Sequence, residues 1–314
     1  MSKAWKKIGE SDLSPVENDK RKELELKTYK KESIIIIGAE NEYNSFWLKM
    51  MFIGAATCQL TKSQDEADRT TIAYVAEGYT KLELGVLENW CNKHKFNIFR
   101  LDSNNDLITL MNKDREEYKI ISLIFFSHGY PGVISLNYGS EKKVNFSHET
   151  LNSCTPNIFS LDGKIFSYAC RTGISNLLNR SFDNDSDAGP EKSLAQQLAD
   201  YFGISVYAFL TRTFYGNILR QRTEETSRQL SENLKKSRAT GGDFSVYRLS
   251  DEHEALPHPG LADGILDFGA KGEGTNGFAL WRKQGGLVLP SSGETPTGLT
   301  KGLVKFTPQK ERVK

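Results

Sequence analysis

Between residues 70 and 210, apolar runs alternate with helical patterns, and this alternation restricts the fold more than any other property of the chain. "TTIAYVAEG" reads as a short buried strand. Thr80 and Glu83 follow at capping-box spacing, then Leu84, Leu87 and Cys91 form one helical stripe. "FNIFRL" reads as a second strand and "NNDLITLMNK" as the helix after it. "YKIISLIFF" is almost continuously apolar, as parallel strands covered on both faces tend to be. "GKIFSYA" is a fourth strand. "EKSLAQQLADYFG" then sets Leu194, Leu198 and Phe202 on one helical face, with Gly203 as the stop. "ISVYAFL" is a fifth strand. Alternation of this kind predicts an α/β fold with a mostly parallel central sheet flanked by helices.

The flanks are less regular. Residues 1–32 form a polar lead-in, too polar for a signal peptide, and 33–215 the α/β domain. "SIIIIGA" is a further strand or half of a hairpin, and "FWLKMMFIGAATCQL" fits helix or strand equally. "VISLNYGSEKKVNF" suggests a hairpin laid over the end of the sheet. Residues 216–314 read as a glycine-rich extension with helical and β pieces, packed on the domain.

Several function classes lose support. The formal net charge of 314 residues is +1, so no global field favours nucleic acid. The charged helix expected over 216–238 interleaves both signs without aromatic residues, as a solvated face does. No apolar run approaches the roughly 20 residues of a membrane span. Cys58, Cys91, Cys154 and Cys170 lack metal-ligand spacing and read as reduced thiols of a protein made in the cytoplasm. "FDNDSDAG" places Asp183, Asp185 and Asp187 at alternate positions but lacks the rest of a calcium loop. It reads as a polar loop. No glycine-rich turn of phosphate-cradling type is present, and no metal or organic cofactor is expected.

Two apolar runs end in reactive side chains: "LIFFSHG" reaches His128, and "KIFSYACRTG" reaches Cys170. In an open α/β sheet, ligands bind beyond the carboxyl ends of the strands. If the two strands are neighbours, side chains rooted just past them face one cleft. A thiolate is a strong nucleophile, and an imidazole can act as its base and then protonate a leaving amine. The backbone amides of Gly129 and Cys170 are natural oxyanion donors.

At these residues the chain resembles the caspase-like cysteine peptidases, the clan that includes legumains, gingipains, separases and the CHAT-domain peptidases. The shared pattern is an apolar strand then His-Gly, and a second apolar strand then Ala-Cys. The likeness covers roughly residues 70–215, including "SLAQQLADYFGISVYAFL" after the nucleophile. It implies a caspase-haemoglobinase-like sandwich, His128 as general acid and base, Cys170 as nucleophile, and self-processing in the loop of Asp183, Asp185 and Asp187 between the nucleophile and the next helix. More loosely, "FFSHG…SYACRTG…SLAQQLA" is similar to bacterial proteins found with secretion-system effectors. That likeness implies a toxin delivered into another cell by a signal-peptide-independent route, and a cognate inhibitor in the producer.

In this fold the S1 pocket is built from the loop after the first strand, the residues before the nucleophile and the loop after the fifth strand. The resemblance therefore nominates Glu77, Tyr168 and Arg212, the last flanked by Thr211 and Thr213. Caspases carry Gln where this chain has Tyr168, so cleavage after Asp does not carry over. Glu77 would favour a basic P1 residue and Arg212 an acidic one, unless the two pair with each other. The substrate is a protein or peptide. Two rivals stand beside this reading: a non-catalytic interaction module of the same fold, and a cysteine amidase or transpeptidase using the same dyad.

Overall fold

The structure is a computed structural model, and it describes residues 29–41, 49–62, 67–176, 181–216, 218, 286 and 288–309. Most of the helix expected over 216–238 and most of the glycine-rich extension after it lie outside these residues.

The elements begin with β1 (Lys30–Ile37), α1 (Met51–Lys62), β2 (Arg69–Tyr74), α2 (Lys81–His94), β3 (Asn97–Arg100) and α3 (Asn104–Asn112). Then come β4 (Tyr118–Phe126), β5 (His128–Tyr130), β6 (Val133–Ser135), β7 (Asn145–Ser147), α4 (His148–Asn152) and β8 (Phe159–Ser167). The chain continues through α5 (Leu194–Phe202), β9 (Ser205–Phe209), β10 (Thr213–Phe214), β11 (Ser291–Ser292) and β12 (Leu303–Phe306).

Seven strands form the central sheet in the order β12-β9-β8-β4-β1-β2-β3. All neighbours pair in parallel except β12, which runs antiparallel to β9. The run "SIIIIGA" is thus a central strand held between β2 and β4, and this explains why it is apolar throughout. In β1, Ile34 and Ile36 face one side of the sheet, while Ile35 and Ile37 face the other. The first side packs on Leu107 and Met111 of α3 and on Leu194, Leu198 and Phe202 of α5. The second side packs on Phe52 and Ile53 of α1 and on Leu87 and Cys91 of α2. The result is a three-layer sandwich with one core on each face of the sheet.

Local signals in the sequence explain the helix ends. Thr80 Oγ1 accepts from the Glu83 N–H at 3.2 Å, and the Glu83 carboxylate accepts from the Thr80 N–H at 2.7 Å. Ser193 caps α5 in the same way, through the Gln196 N–H at 3.2 Å, and Gly203 ends that helix at φ 69°. The ambiguous segment after β1 resolves as α1, whose Met51, Phe52 and Ile53 are all buried.

At the amino ends of the strands, Glu32 of β1 is 1 % exposed and anchors a charged network. Arg69 grips its carboxylate twice, at 2.8 and 2.9 Å. Thr71 donates at 2.6 Å, and Arg115 donates at 2.6 Å while binding the last carbonyls of α3. Burial alone would push the Glu32 carboxyl up, but the bonds from Arg69, Thr71 and Arg115 outweigh it and hold the group below its ordinary value. The opposite, carboxyl ends of the strands are left for the site.

Candidate active site

Three adjacent strands, β8, β4 and β1, deliver Cys170, His128 and Glu40 to one edge of the sheet. The register is explicit. Phe125 of β4 sits opposite Ser167 of β8, so three further residues on each chain reach His128 and Cys170 at the same level. Ile37 of β1 sits opposite Phe126, which carries Glu40 to the far side of His128. Neighbouring strands lie about 4.8 Å apart, so all three side chains rise from a narrow strip.

Glu40 is buried to 1 % exposure, and its carboxylate lies 2.6 Å from His128 Nε2. A carboxylate only accepts, so this bond fixes the hydrogen on Nε2 and leaves Nδ1 as the basic nitrogen. The turn that aims Glu40 is closely packed. A Cβ on Gly38 would stand 2.7 Å from Ser127 Cβ, and the Gly38 and Ala39 amides are bound to the carbonyls of Phe126 and Leu136. The imidazole is also held by rings: Phe52 meets it edge-on at 5.0 Å, and Tyr138 lies at 5.2 Å.

His128 follows the end of β4 after one residue, Ser127. It opens β5, the first strand of a small antiparallel sheet in the order β5-β6-β7 that covers the end of β4. The two-residue turn Pro131–Gly132 closes on the pair Tyr130 and Val133, so alternation along the ladder turns the Gly129 amide away from β6. Gly129 lies directly against the Cys170 loop, where a Cβ would meet Ala169 Cβ at 2.7 Å and the Cys170 carbonyl at 3.0 Å.

Cys170 is half-buried, whereas Cys58, Cys91 and Cys154 are fully buried. Burial pushes the Cys91 thiol up to about 11 and the Cys154 thiol up to about 12. Cys170 Sγ accepts a hydrogen bond from the Thr213 N–H at 3.2 Å. Its own N–H donates to no group among the described residues. Arg171, immediately after it, adopts a left-handed φ of 55° and donates its N–H to the Thr211 carbonyl at 3.0 Å. The loops after β8 and β9 are therefore laced together around the sulfur.

The other nominated residues fall in different places. Tyr168 is 6 % exposed, with its ring stacked on Phe126 at 4.9 Å, so it belongs to the core and does not wall a pocket. Thr211 is fully buried, and Thr213 serves Cys170 through its backbone. Arg212 is exposed on the loop after β9, with its backbone pinned to Gly293 at 2.7 Å and to Thr295 at 2.6 Å. Glu77 follows β2 and accepts from Asn137 Nδ2 at 3.1 Å. Four strand spacings, about 19 Å, separate β2 from β9, so Glu77 and Arg212 do not pair. Glu77 instead lines a cavity of about 460 Å³ with Arg100, Asp102, Asn137 and Lys142, which includes neither His128 nor Cys170.

Glu40 was not anticipated, although "SIIIIGAE" has the same build as the two runs that end in His128 and Cys170. Recognising β1 as a central strand is what brings this carboxylate to the imidazole. No family model, curated protein or solved structure matches the chain. Among the described residues, no helix is long and apolar enough to cross a membrane.

Proposed function

We propose that the protein is a cysteine endopeptidase of caspase-like architecture, with Cys170 as nucleophile, His128 as general acid and base, and Glu40 orienting the imidazole. The observation that carries this reading is the shared level of His128 and Cys170 beyond neighbouring parallel strands, with a buried carboxylate 2.6 Å behind the histidine.

The chemistry follows from those positions. His128 Nδ1 takes the thiol proton, and the thiolate attacks the carbonyl carbon of the scissile peptide. The oxyanion is met by the unpaired Cys170 N–H and the outward-turned Gly129 N–H, each donor being worth on the order of 3 kcal/mol in hydrolases. Collapse expels the amine, which receives the proton from His128, and leaves a thioester on Sγ. Water, deprotonated by the same nitrogen, releases the acid and restores the thiol. Glu40 keeps Nε2 protonated throughout and holds the ring in one orientation. The looser likeness to effector-associated proteins extends the proposal to a toxin acting in a cell other than its producer.

One observation favours the rival binding module: among the described residues Sγ takes its hydrogen bond from Thr213, and none joins it to His128. A peptide-library digest read by mass spectrometry separates the two. Cleavage by the wild type that falls at least about 10³-fold in Cys170→Ala and in His128→Ala supports the peptidase. Absence of any cleavage, with Cys170 no more reactive than a free thiol, supports the module. A Cys170 adduct with a small amide and no peptide cleavage supports an amidase.

A further inference from the structure

The register that brings Cys170 level with His128 continues across the rest of the sheet. Tyr74 of β2 sits opposite Ile37 of β1 and opposite Arg100 of β3, and Ile37 sits opposite Phe126 of β4. Pairing runs one residue further, where the Gly38, Val75 and Leu101 amides donate to the carbonyls of Phe126, Ile37 and Tyr74 at 2.8, 3.0 and 2.8 Å. One more residue on each strand completes a row: Cys170, His128, Ala39, Ala76 and Asp102. The far end of that row, Ala76 and Asp102, lines the cavity of about 460 Å³.

One hairpin joins the two ends. Tyr138, between β6 and β7, lies 5.2 Å from the His128 ring and is 40 % exposed, and Asn41 Nδ2 donates to its carbonyl at 3.3 Å. Its neighbour Asn137 is buried and walls the cavity. Asn137 Nδ2 donates to Glu77 at 3.1 Å and to the Lys142 carbonyl, while Oδ1 accepts from the Val144 N–H at 2.7 Å. A single step along the chain therefore leads from the imidazole to the cavity wall. Val75, Leu101 and Val144 give the cavity an apolar floor, and around it Arg100 and Lys142 balance Glu77 and Asp102. With these charges matched in sign and number, the floor rather than a net field decides what the cavity holds.

We infer that this cavity is a subsite for the departing part of a peptide substrate, taking an apolar side chain four to six residues after the scissile bond. The inference rests on the peptidase reading, and its direction follows from the chemistry. His128 hands a proton to the leaving amine, so the amine side of the substrate lies on the His128 side of Cys170. Leading away from the sulfur, that segment passes the open ring of Tyr138. It reaches β2 after three strand spacings, about 14 Å, and β3 after four, about 19 Å. An extended chain advances about 3.3 Å per residue, which sets the four-to-six-residue distance.

Peptides that share one mapped cleavage bond and the sequence before it, and differ only after it, test the subsite on the wild-type protein. Lengthening the leaving side from two residues to seven, with leucine at the fourth to sixth, should raise kcat/KM about tenfold. Alanine, glutamate or lysine at those positions should each forfeit the gain. The leaving peptide departs before water reaches the thioester, so thioester hydrolysis should run at one rate throughout the series. Ala76 is partly exposed at the cavity, and Ala76→Leu fills it. That variant should lower the leucine peptide to the level of the truncated one. Cleavage of the truncated peptide and alkylation of Cys170 by iodoacetamide should stay unchanged. If Ala76→Leu fails to fold, the wild-type peptide series decides alone. Equal kcat/KM across all lengths and side chains overturns the subsite and leaves the peptidase reading standing. A preference for glutamate or lysine over leucine overturns it as well. No cleavage of any peptide overturns the peptidase reading, and the subsite with it.

Discussion

His128 Nε2 and the Glu40 carboxylate lie 2.6 Å apart, with the carboxylate sealed from solvent and the imidazole partly open to it. That contact links two strands which are neighbours in space and 88 residues apart in sequence. With the carboxylate accepting, the tautomer of the imidazole is set before any ligand arrives.

Glu40→Gln should keep the shape of this contact and remove its charge. The imidazole then loses the anion that fixes its tautomer and orientation, so alkylation of Cys170 by limiting iodoacetamide at neutral pH should slow about tenfold. Peptide cleavage should fall about 10²-fold with little change in KM, because the carboxylate acts through His128 and does not touch substrate. An unchanged alkylation rate together with unchanged cleavage would remove Glu40 from the machinery.

Thiol selectivity is a second expectation. At pH 7.5 a thiol with a pKa of about 11 is thiolate in fewer than one molecule in a thousand, and Cys91 and Cys154 are both in that range and buried. Limiting iodoacetamide should therefore modify Cys170 first, by intact mass and peptide mapping, and His128→Ala should slow that reaction. Similar rates at Cys58, Cys91, Cys154 and Cys170 would show that no activated thiolate forms.

Much of this architecture is legible in the sequence, for physical reasons that can be named. Strands such as "YKIISLIFF" are apolar because both sheet faces are covered, and the Thr80–Glu83 pair is legible because a capping box is a local device. His128 and Cys170 stand out because each ends such a run. Glu40 was hidden because β1 could equally have been a hairpin arm, and only the pairing of Ile37 with Phe126 settles where its end points. Tyr168 misled for the opposite reason. Its place just before the nucleophile suggests a pocket wall, yet strand alternation turns its ring into the core against Phe126 and Phe209.

Gly129 should tolerate no side chain. A methyl group there would stand 2.7 Å from Ala169 Cβ and about 3 Å from the Cys170 backbone, and backbone cannot yield as a flexible side chain can. Gly129→Ala should cost about 1–3 kcal/mol of stability by forcing β5 away from the Cys170 loop. The same shift should move one oxyanion donor and lower kcat about 10²-fold or more. A folded variant with wild-type stability and turnover would mean that β5 does not need this close approach.

The Glu32 network at the other end of the sheet should govern acid stability. Burial opposes its charge, but Arg69, Thr71 and Arg115 win, so its folded carboxyl titrates below the unfolded value of about 4.3. Protonation is then harder in the folded state, and the contribution is complete above the unfolded pKa. It is lost as the pH falls through the folded pKa, so the loss belongs below about pH 4. Glu32→Gln leaves two arginines facing an uncharged group in a site that is 1 % exposed, and at neutral pH this should cost about 3–5 kcal/mol. In urea unfolding, the gap between wild type and variant should stay constant from pH 8 to 5 and narrow below pH 4. A gap of the same size at pH 3 would show that the cost comes from packing rather than charge. The charge reading would then fail, because protonating wild-type Glu32 creates nearly the same neutral group that the substitution does.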